Sequence, residues 1–159
     1  MSSSNPQVKI YLISLRALIQ HVNNWFVEKN LEVVSEQVTL QDEAGMLYEA
    51  PQISFMNSNG FIIARLLVVG PDEVNPEGRV DLQGRHDFLS IVIIYDIHTV
   101  FDKTKQKDRP LKVCVPTGKH GSERCDDWYW VKRGPQKNAH AITKELFFDL
   151  IKHVSRHAF

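Results

Sequence analysis

The segment from Leu31 to Thr99 most constrains the fold, because it is a succession of short apolar or alternating stretches separated by turn signals. Asp42–Gly45 and Asn57–Gly60 have the composition of tight turns, and an Asn-Gly pair readily adopts the positive φ that hairpins require. No helical segment long enough for the crossover that joins parallel strands lies between Leu31 and Thr99. The segment therefore predicts a meandering antiparallel sheet.

Helical patterns lie on either side of this segment. From about Pro6 to Lys29, apolar residues recur at three- and four-residue steps, which is the stripe that a helix buries. Asn5 supplies an N-cap for this helix, and Thr143 supplies one for a second helix near the C-terminus. The sequence thus predicts a single α+β domain over residues 1–159, with residues 1–5 as a flexible leader. Its mainly antiparallel sheet of about five to seven strands is packed by an N-terminal and a C-terminal helix.

Strand positions follow from the same patterns. The apolar run Phe88–Ile94 predicts a central strand that is buried in the core. Pro51 predicts an edge or a break between two short strands, because proline cannot donate a ladder hydrogen bond. Asp127–Arg133 is the last strand that the sequence predicts, and Gly134-Pro135 then predicts a break before the C-terminal helix.

Charge and composition restrict the class of protein. The 159 residues carry 19 basic and 19 acidic side chains, with 12 acidic against 6 basic residues before position 101 and the reverse excess after it. The N-terminal sequence resembles neither a signal peptide nor a membrane span, which predicts a cytoplasmic protein without a membrane partner. Cys114 and Cys125 form no CxxC pair, so free thiols are the simplest prediction and a disulfide is the alternative.

The strongest polar cluster precedes the apolar run and consists of Arg79, Asp81, Arg85, His86 and Asp87. Strand alternation places Arg79 and Asp81 on one face and their neighbours on the other. A carboxylate beside an arginine and a histidine is suited to binding phosphate or to acid–base chemistry. The same residues would also form an internal ion-pair network, which is the interpretation that we favour.

Catalytic and metal signatures are weak elsewhere. His98 follows a predicted strand and joins Asp81, His86 and Asp87 as a candidate catalytic residue. The spacing of Cys114, His120 and Cys125 matches no zinc motif, and His153 and His157 lack the third ligand that a metal site needs. The sequence therefore predicts neither a metal site nor a cofactor.

A basic loop with nearby aromatic residues is the feature most typical of nucleic-acid binding. Lysine and arginine contact phosphates, and aromatic rings stack on bases. The candidate binding residues are therefore the two cluster arginines, the cations of loop 103–112 and two tryptophans: Arg79, Arg85, Lys103, Lys105, Lys107, Arg109, Trp128 and Trp130.

Taken together, these patterns predict a small non-catalytic module that binds another macromolecule, with a protein as the favoured partner. An inhibitor or an immunity protein would have this composition. The alternative is an enzyme that acts on a phosphate-containing substrate or nucleic acid through the polar cluster. The two hypotheses differ in geometry, because an enzyme would gather the cluster around a cleft, whereas a binding module would close it into ion pairs.

Overall fold

A computed structural model of the chain describes residues 5–72, 76–94, 112–114, 124–132 and 138–157. Within these residues the elements are α1 (Pro6–Glu28), β1 (Glu32–Gln41), β2 (Leu47–Met56), β3 (Ile62–Gly70), β4 (Arg79–Gly84), β5 (Phe88–Ile93), β6 (Lys112–Cys114), β7 (Arg124–Lys132), β8 (Asn138–Thr143) and α2 (Lys144–Ser155).

The eight strands of the described residues form one sheet in the order β1-β2-β3-β4-β5-β7-β8-β6. Strands β1 to β5 are an antiparallel meander, and β7 and β8 extend it with antiparallel pairings. Only β6, which pairs with β8, is parallel to its neighbour in this part of the chain. The predicted α+β class, with a mainly antiparallel sheet between an N-terminal and a C-terminal helix, is therefore confirmed.

The hairpin between β2 and β3 forms where the sequence predicts it. The Asn57 side chain accepts hydrogen bonds from the backbone N–H groups of Asn59 and Phe61, both at 3.0 Å. Gly60 has a φ of 83°, a value that glycine adopts without steric cost. The turn between β1 and β2 is built in the same way around Asp42. These local contacts fix the register of the first two hairpins.

Pro51 lies inside β2 and does not break it, so the prediction of two short strands is wrong at this point. In the β1–β2 ladder Asp42 donates to the Met46 carbonyl, and alternation therefore turns the backbone of Pro51 away from β1. The side of Pro51 that lacks an N–H therefore faces β3. The pairing of β2 with β3 ends at Ile53, so no ladder hydrogen bond is required from residue 51. The Gln52 side chain accepts from Val68 N–H instead, at 3.2 Å.

Both helices pack on the same face of the sheet. The ring of Phe26 in α1 lies 6.4 Å from that of Phe147 in α2 and stacks on Phe55 of β2 at 4.5 Å. Apolar side chains from both helices and from six strands form this core, among them Leu15, Leu18, Trp25, Leu66, Val80, Leu82, Ile91, Trp128, Ile142 and Ile151. No helix in the described part of the chain is both long and apolar enough to cross a bilayer.

The structure corrects two further strand predictions. Strand β8 occupies Asn138–Thr143, where the sequence predicted no strand, and it runs directly into α2; the predicted break at Gly134-Pro135 lies outside the described residues. Strand β5 is central, as predicted, but it is not buried throughout. Phe88 is 58% exposed, whereas Ile91 and Ile93 contribute to the core. The exposed start of β5 lies beside a groove that described residues line.

Candidate functional site

The first part of the polar cluster lies on the face of β4 that points away from the helices. Arg79 and Asp81 are neighbours on this face, as strand alternation predicts, with Arg79 Nε 3.4 Å from Asp81 Oδ1. Asp72 approaches the same guanidinium at 3.7 Å, and Ser90 Oγ donates to Asp81 at 2.7 Å. The charges of Arg79 and Asp81 are thus directed mainly at each other and at their own neighbours in the sheet.

The second part of the cluster is the turn 84–87, which docks against the C-terminal end of α2. The backbone N–H groups of His86 and Asp87 both donate to the Val154 carbonyl, at 2.8 and 3.2 Å. Gly84 allows this approach, because a Cβ there would overlap the same carbonyl group. A helix leaves its last four carbonyls without intrahelical partners. The turn therefore satisfies one end of α2 and ties it to the β4–β5 hairpin.

Asp87 is the member of the cluster that reaches a concave surface. Its Oδ2 lies 3.2 Å from Nε2 of His153 on α2, a residue that was not among the predicted site residues. Both side chains are more than half exposed, so solvent screens this pair and it contributes little to stability. Together they form one end of a groove between β5, β7 and α2.

The groove has a volume of about 690 Å³ and a mainly apolar lining. This volume lies within the range of about 300–1,000 Å³ that is usual for ligand sites. Its walls come from the start of β5, the end of β7 and one side of α2: Asp87, Phe88, Leu89, Ser90, Val92, Trp130, Val131, Lys132, Leu146, Asp149, Leu150 and His153. We refer to this surface as the β5–β7 groove.

The β5–β7 groove lies where the sheet opens. Strand β5 pairs with β7 over only three residues, Ile91 to Ile93, and the ladder ends at the pair Ile91–Trp130. Beyond it, among the described strands, residues 88–90 of β5 pair with β4 alone, and the end of β7 pairs with β8 alone. Two neighbouring strands thus continue side by side without joining, and the groove lies between them.

Backbone groups of β5 face this opening. Ile93 N–H donates to Gly78, and the Asp87 carbonyl accepts from Gly84, so the odd-numbered residues of β5 turn their backbone groups toward β4. The backbone of Ser90 therefore points toward β7, at a position where the described ladder has already ended. The groove consequently offers an open strand edge as well as an apolar lining.

Charged residues lie along the rim of the groove. Asp149, on an exposed position of α2, forms no ion pair with any residue that the structure describes, and Lys132 ends β7 on the other side. Asp87 adds a second carboxylate beside His153. The α2 side of the rim is therefore acidic and the β7 side is basic.

The other predicted site residues are dispersed. Arg85 and His86 are exposed on the docked turn and do not line the groove. Trp128 is fully buried, and its Nε1 donates to the Ser14 carbonyl at 2.9 Å. The interpretation of Trp128 as a base-stacking residue is therefore wrong, because its ring is part of the core. Trp130 is half-buried against His140 and lines the groove.

Several predicted residues lie outside the described part of the chain. They are the candidate catalytic residue His98 and the cations of the basic loop, Lys103, Lys105, Lys107 and Arg109. Within the described residues, no three His, Cys, Asp or Glu side chains come close enough to hold a metal ion. Comparisons of the chain with protein-family models, with curated proteins and with solved structures found no match.

Sequence reasoning missed the groove because its residues are far apart in the chain. Asp87 lies in a turn, Lys132 in a strand and Asp149 in a helix, and no local spacing connects them. One signal was available, since His153 and Asp149 are four residues apart and therefore share one side of α2. That spacing identifies a polar stripe on a helix, but not the strands opposite it.

Proposed function

We propose that this protein is a non-catalytic binding module and that its partner is another protein, bound as an extended segment in the β5–β7 groove. The observation that carries the proposal is the open strand edge inside the groove, at Ser90, where the ladder between β5 and β7 has ended. An extended peptide at such an edge gains backbone hydrogen bonds from the strand and places alternate side chains in the pockets beside it.

The chemistry of the groove indicates what segment would fit. Leu146 and Leu150 on α2, with Val131 on β7, provide apolar surface for the side chains on one side of an added strand. The carboxylate of Asp149, which forms no ion pair with a described residue, favours a lysine or arginine near the α2 side of the segment. The preferred partner is therefore an extended segment of alternating apolar residues with a basic side chain.

The arrangement of the polar cluster also supports a binding role. Arg79 and Asp81 are engaged with each other, and the backbone of turn 84–87 is engaged with α2. Asp81 and His86 do not line the groove, so the candidate catalytic residues of the described chain are not gathered around one cleft. A hydrolytic site would require them to converge on the same reacting atom.

Site-specific photo-crosslinking in the native cell tests this proposal. A photoreactive phenylalanine analogue is placed either at Phe88, which is 58% exposed beside the groove, or at Phe61, which is 69% exposed in the β2–β3 hairpin. The two sites match in residue type and exposure. We expect a discrete protein adduct from position 88 and none from position 61.

The Asp149→Lys substitution adds a test of the groove itself. It reverses the charge on the rim at an exposed helix position, so the fold should be retained, and it should reduce the yield of the adduct at position 88 at least several-fold. The proposal would be refuted by equal adducts from both positions, by an adduct at position 88 that nuclease digests, or by an adduct that is insensitive to Asp149→Lys.

A further inference from the structure

Strand β1 is a long free edge of the sheet. Its ten residues pair with β2 on one side, and no described strand pairs with the other side. Most of its side chains are exposed, including those of Ser35, Gln37 and Thr39. Within the described part of the chain, the outer edge of this strand is therefore an extended row of backbone groups without a partner strand.

The outward backbone groups can be assigned from the hairpin. Asp42 N–H donates to the Met46 carbonyl across the ladder, so even-numbered residues of β1 turn their N–H and C=O groups toward β2. The odd-numbered residues face outward. They are five in number: Val33, Ser35, Gln37, Thr39 and Gln41.

Natural sheets usually protect such an edge with proline, charged side chains (above all lysine), a bulge or a very short strand. The sequence of β1, EVVSEQVTLQ, contains neither proline nor lysine and only two charged residues, and its pairing with β2 is continuous over all ten residues. The opposite end of the described sheet differs, because β6 has only three residues. The long edge at β1 is therefore the one suited to pairing with another strand.

We propose that β1 is a dimer interface that pairs antiparallel with β1 of a second copy of this chain. A two-fold axis perpendicular to the sheet places the helix-covered faces of both copies on the same side. Residues that lie opposite each other in antiparallel strands point to the same face, so the two residues of each pair must both be odd-numbered or both be even-numbered. With the axis at Gln37, all five outward-facing residues fall in hydrogen-bonded pairs: Val33 opposite the partner's Gln41, Ser35 opposite the partner's Thr39, and Gln37 opposite the partner's Gln37.

Charge disfavours the register whose axis lies at Glu36. An axis at Glu36 would place two glutamates directly opposite each other, and like charges in that position are destabilising. The axis at Gln37 instead places Glu36 opposite the partner's Val38, and it brings Val34, which is 42% exposed, opposite the partner's Leu40. Glu32 and Glu36 thus do not face each other, and Glu32 lies beyond the paired strands, level with the turn residue Asp42 of the partner subunit.

The contact between two edge strands is smaller than a standard interface, so the dimer should be reversible and dependent on concentration. Sedimentation velocity over a range of protein concentrations should show a monomer that converts to a dimer. A protein that remains monomeric at the highest soluble concentration would overturn the proposal.

Gln37→Pro is the direct test of the interface. Proline is tolerated at an edge position whose N–H faces solvent, but it removes the outward donor at the centre of the proposed pair. We expect an unchanged thermal midpoint at low concentration and at least a tenfold weaker dimer. A dimer of unchanged affinity would place the interface elsewhere.

A pair of charge variants tests the register and does not depend on how the proline variant folds. Gln37→Lys and Gln37→Glu should each weaken self-association, because two like charges then meet on the two-fold axis. Mixing the two variants should restore a dimer that contains one copy of each. Failure of the mixture to associate more strongly than either variant alone would contradict the register.

The groove is remote from β1 in the sheet order, so this proposal does not depend on the proposed function.

Discussion

Tyr11 joins three elements through one buried hydroxyl group. It donates to the Arg79 carbonyl at 2.9 Å and accepts from Gly70 N–H at 3.3 Å, so α1 is tied to the end of β3 and the start of β4. Gly78 has a φ of 110° and lies against the ring, where any Cβ would overlap it. Burial of the hydroxyl raises the pKa of Tyr11 well above its ordinary value of about 10.

This raised pKa predicts a loss of stability in alkali. Above about pH 10 the unfolded chain releases the Tyr11 proton while the folded chain retains it. The folded state then binds more protons, and the free energy of unfolding falls as the pH rises, by up to about 1.4 kcal/mol for each pH unit. Urea unfolding of the wild type at pH values between about 8 and 11 measures this slope.

Tyr11→Phe is the matched variant for this measurement. At neutral pH we expect it to lower the free energy of unfolding by about 1–3 kcal/mol, because the Arg79 carbonyl and the Gly70 N–H lose their partner. The difference in free energy of unfolding between the two proteins should narrow above about pH 10. Only the wild type has the Tyr11 hydroxyl, so only the wild type loses stability from its titration as the pH rises. A difference that stays constant with pH would show that the Tyr11 hydroxyl titrates normally in the fold.

At the scale of elements, α2 depends on the hairpin beside it. Thr143 caps its first turn by accepting from Leu146 N–H at 3.1 Å, as the sequence predicts. In its last turn the Lys152 carbonyl accepts from Arg156 N–H, whereas the Val154 carbonyl accepts from outside the helix, from the two N–H groups of turn 84–87. The polar turn that the sequence presented as a candidate site is therefore, through its backbone, a support for the helix that forms one wall of the β5–β7 groove.

Gly84→Ala tests this support. The added Cβ would overlap the Val154 carbonyl, and backbone atoms cannot move aside as a flexible side chain can. We expect a loss of about 1–3 kcal/mol in the free energy of unfolding, measured by denaturant titration, because the end of α2 must shift. Hydrogen exchange at the amides of His86 and Asp87 should accelerate more than exchange in β2.

Arg85→Ala is the control for this test. Arg85 is exposed on the same turn, so its replacement should change the free energy of unfolding by less than about 0.5 kcal/mol. Equal effects of the two substitutions would show that the turn is insensitive to the space between Gly84 and α2.

At the scale of the whole molecule, one core between the helices and the sheet holds the described elements together. Leu15 is fully buried in that core, whereas Ile13, on the same helix, is 68% exposed. The core combines residues from α1, α2 and most of the sheet, so a cavity in it weakens contacts between elements that are distant in the sequence.

Leu15→Ala should therefore lower the free energy of unfolding by about 2–5 kcal/mol. Ile13→Ala is the control. It should change the free energy of unfolding by less than about 0.5 kcal/mol, because the Ile13 side chain is mostly exposed and its removal takes little buried apolar surface from the core. Chemical denaturation of both variants gives the comparison. Similar losses for the two would mean that the buried face of α1 has been assigned incorrectly.

Local chemistry accounts for the features that sequence analysis predicted correctly. The Asn57 turn, the Asn5 and Thr143 caps and the buried stripe of α1 each depend on residues within a few positions of one another. Strand β8 escaped prediction because its small alanines give weak hydrophobic contrast and its backbone is specified by pairing with β7. Pro51 was misjudged because its tolerance depends on which neighbour its nitrogen faces.

The sequence by itself determined the fold class, the two helices, the first two hairpin turns and the alternation that places Arg79 beside Asp81. Only the tertiary structure decided that turn 84–87 supports α2, that Trp128 is part of the core and that β5 and β7 separate beside α2. The physical reason is the separation in sequence over which each kind of interaction acts. Caps, turns and hydrophobic periodicity act over a few residues, whereas the β5–β7 groove exists because strands and a helix that are distant in sequence meet without filling the space between them.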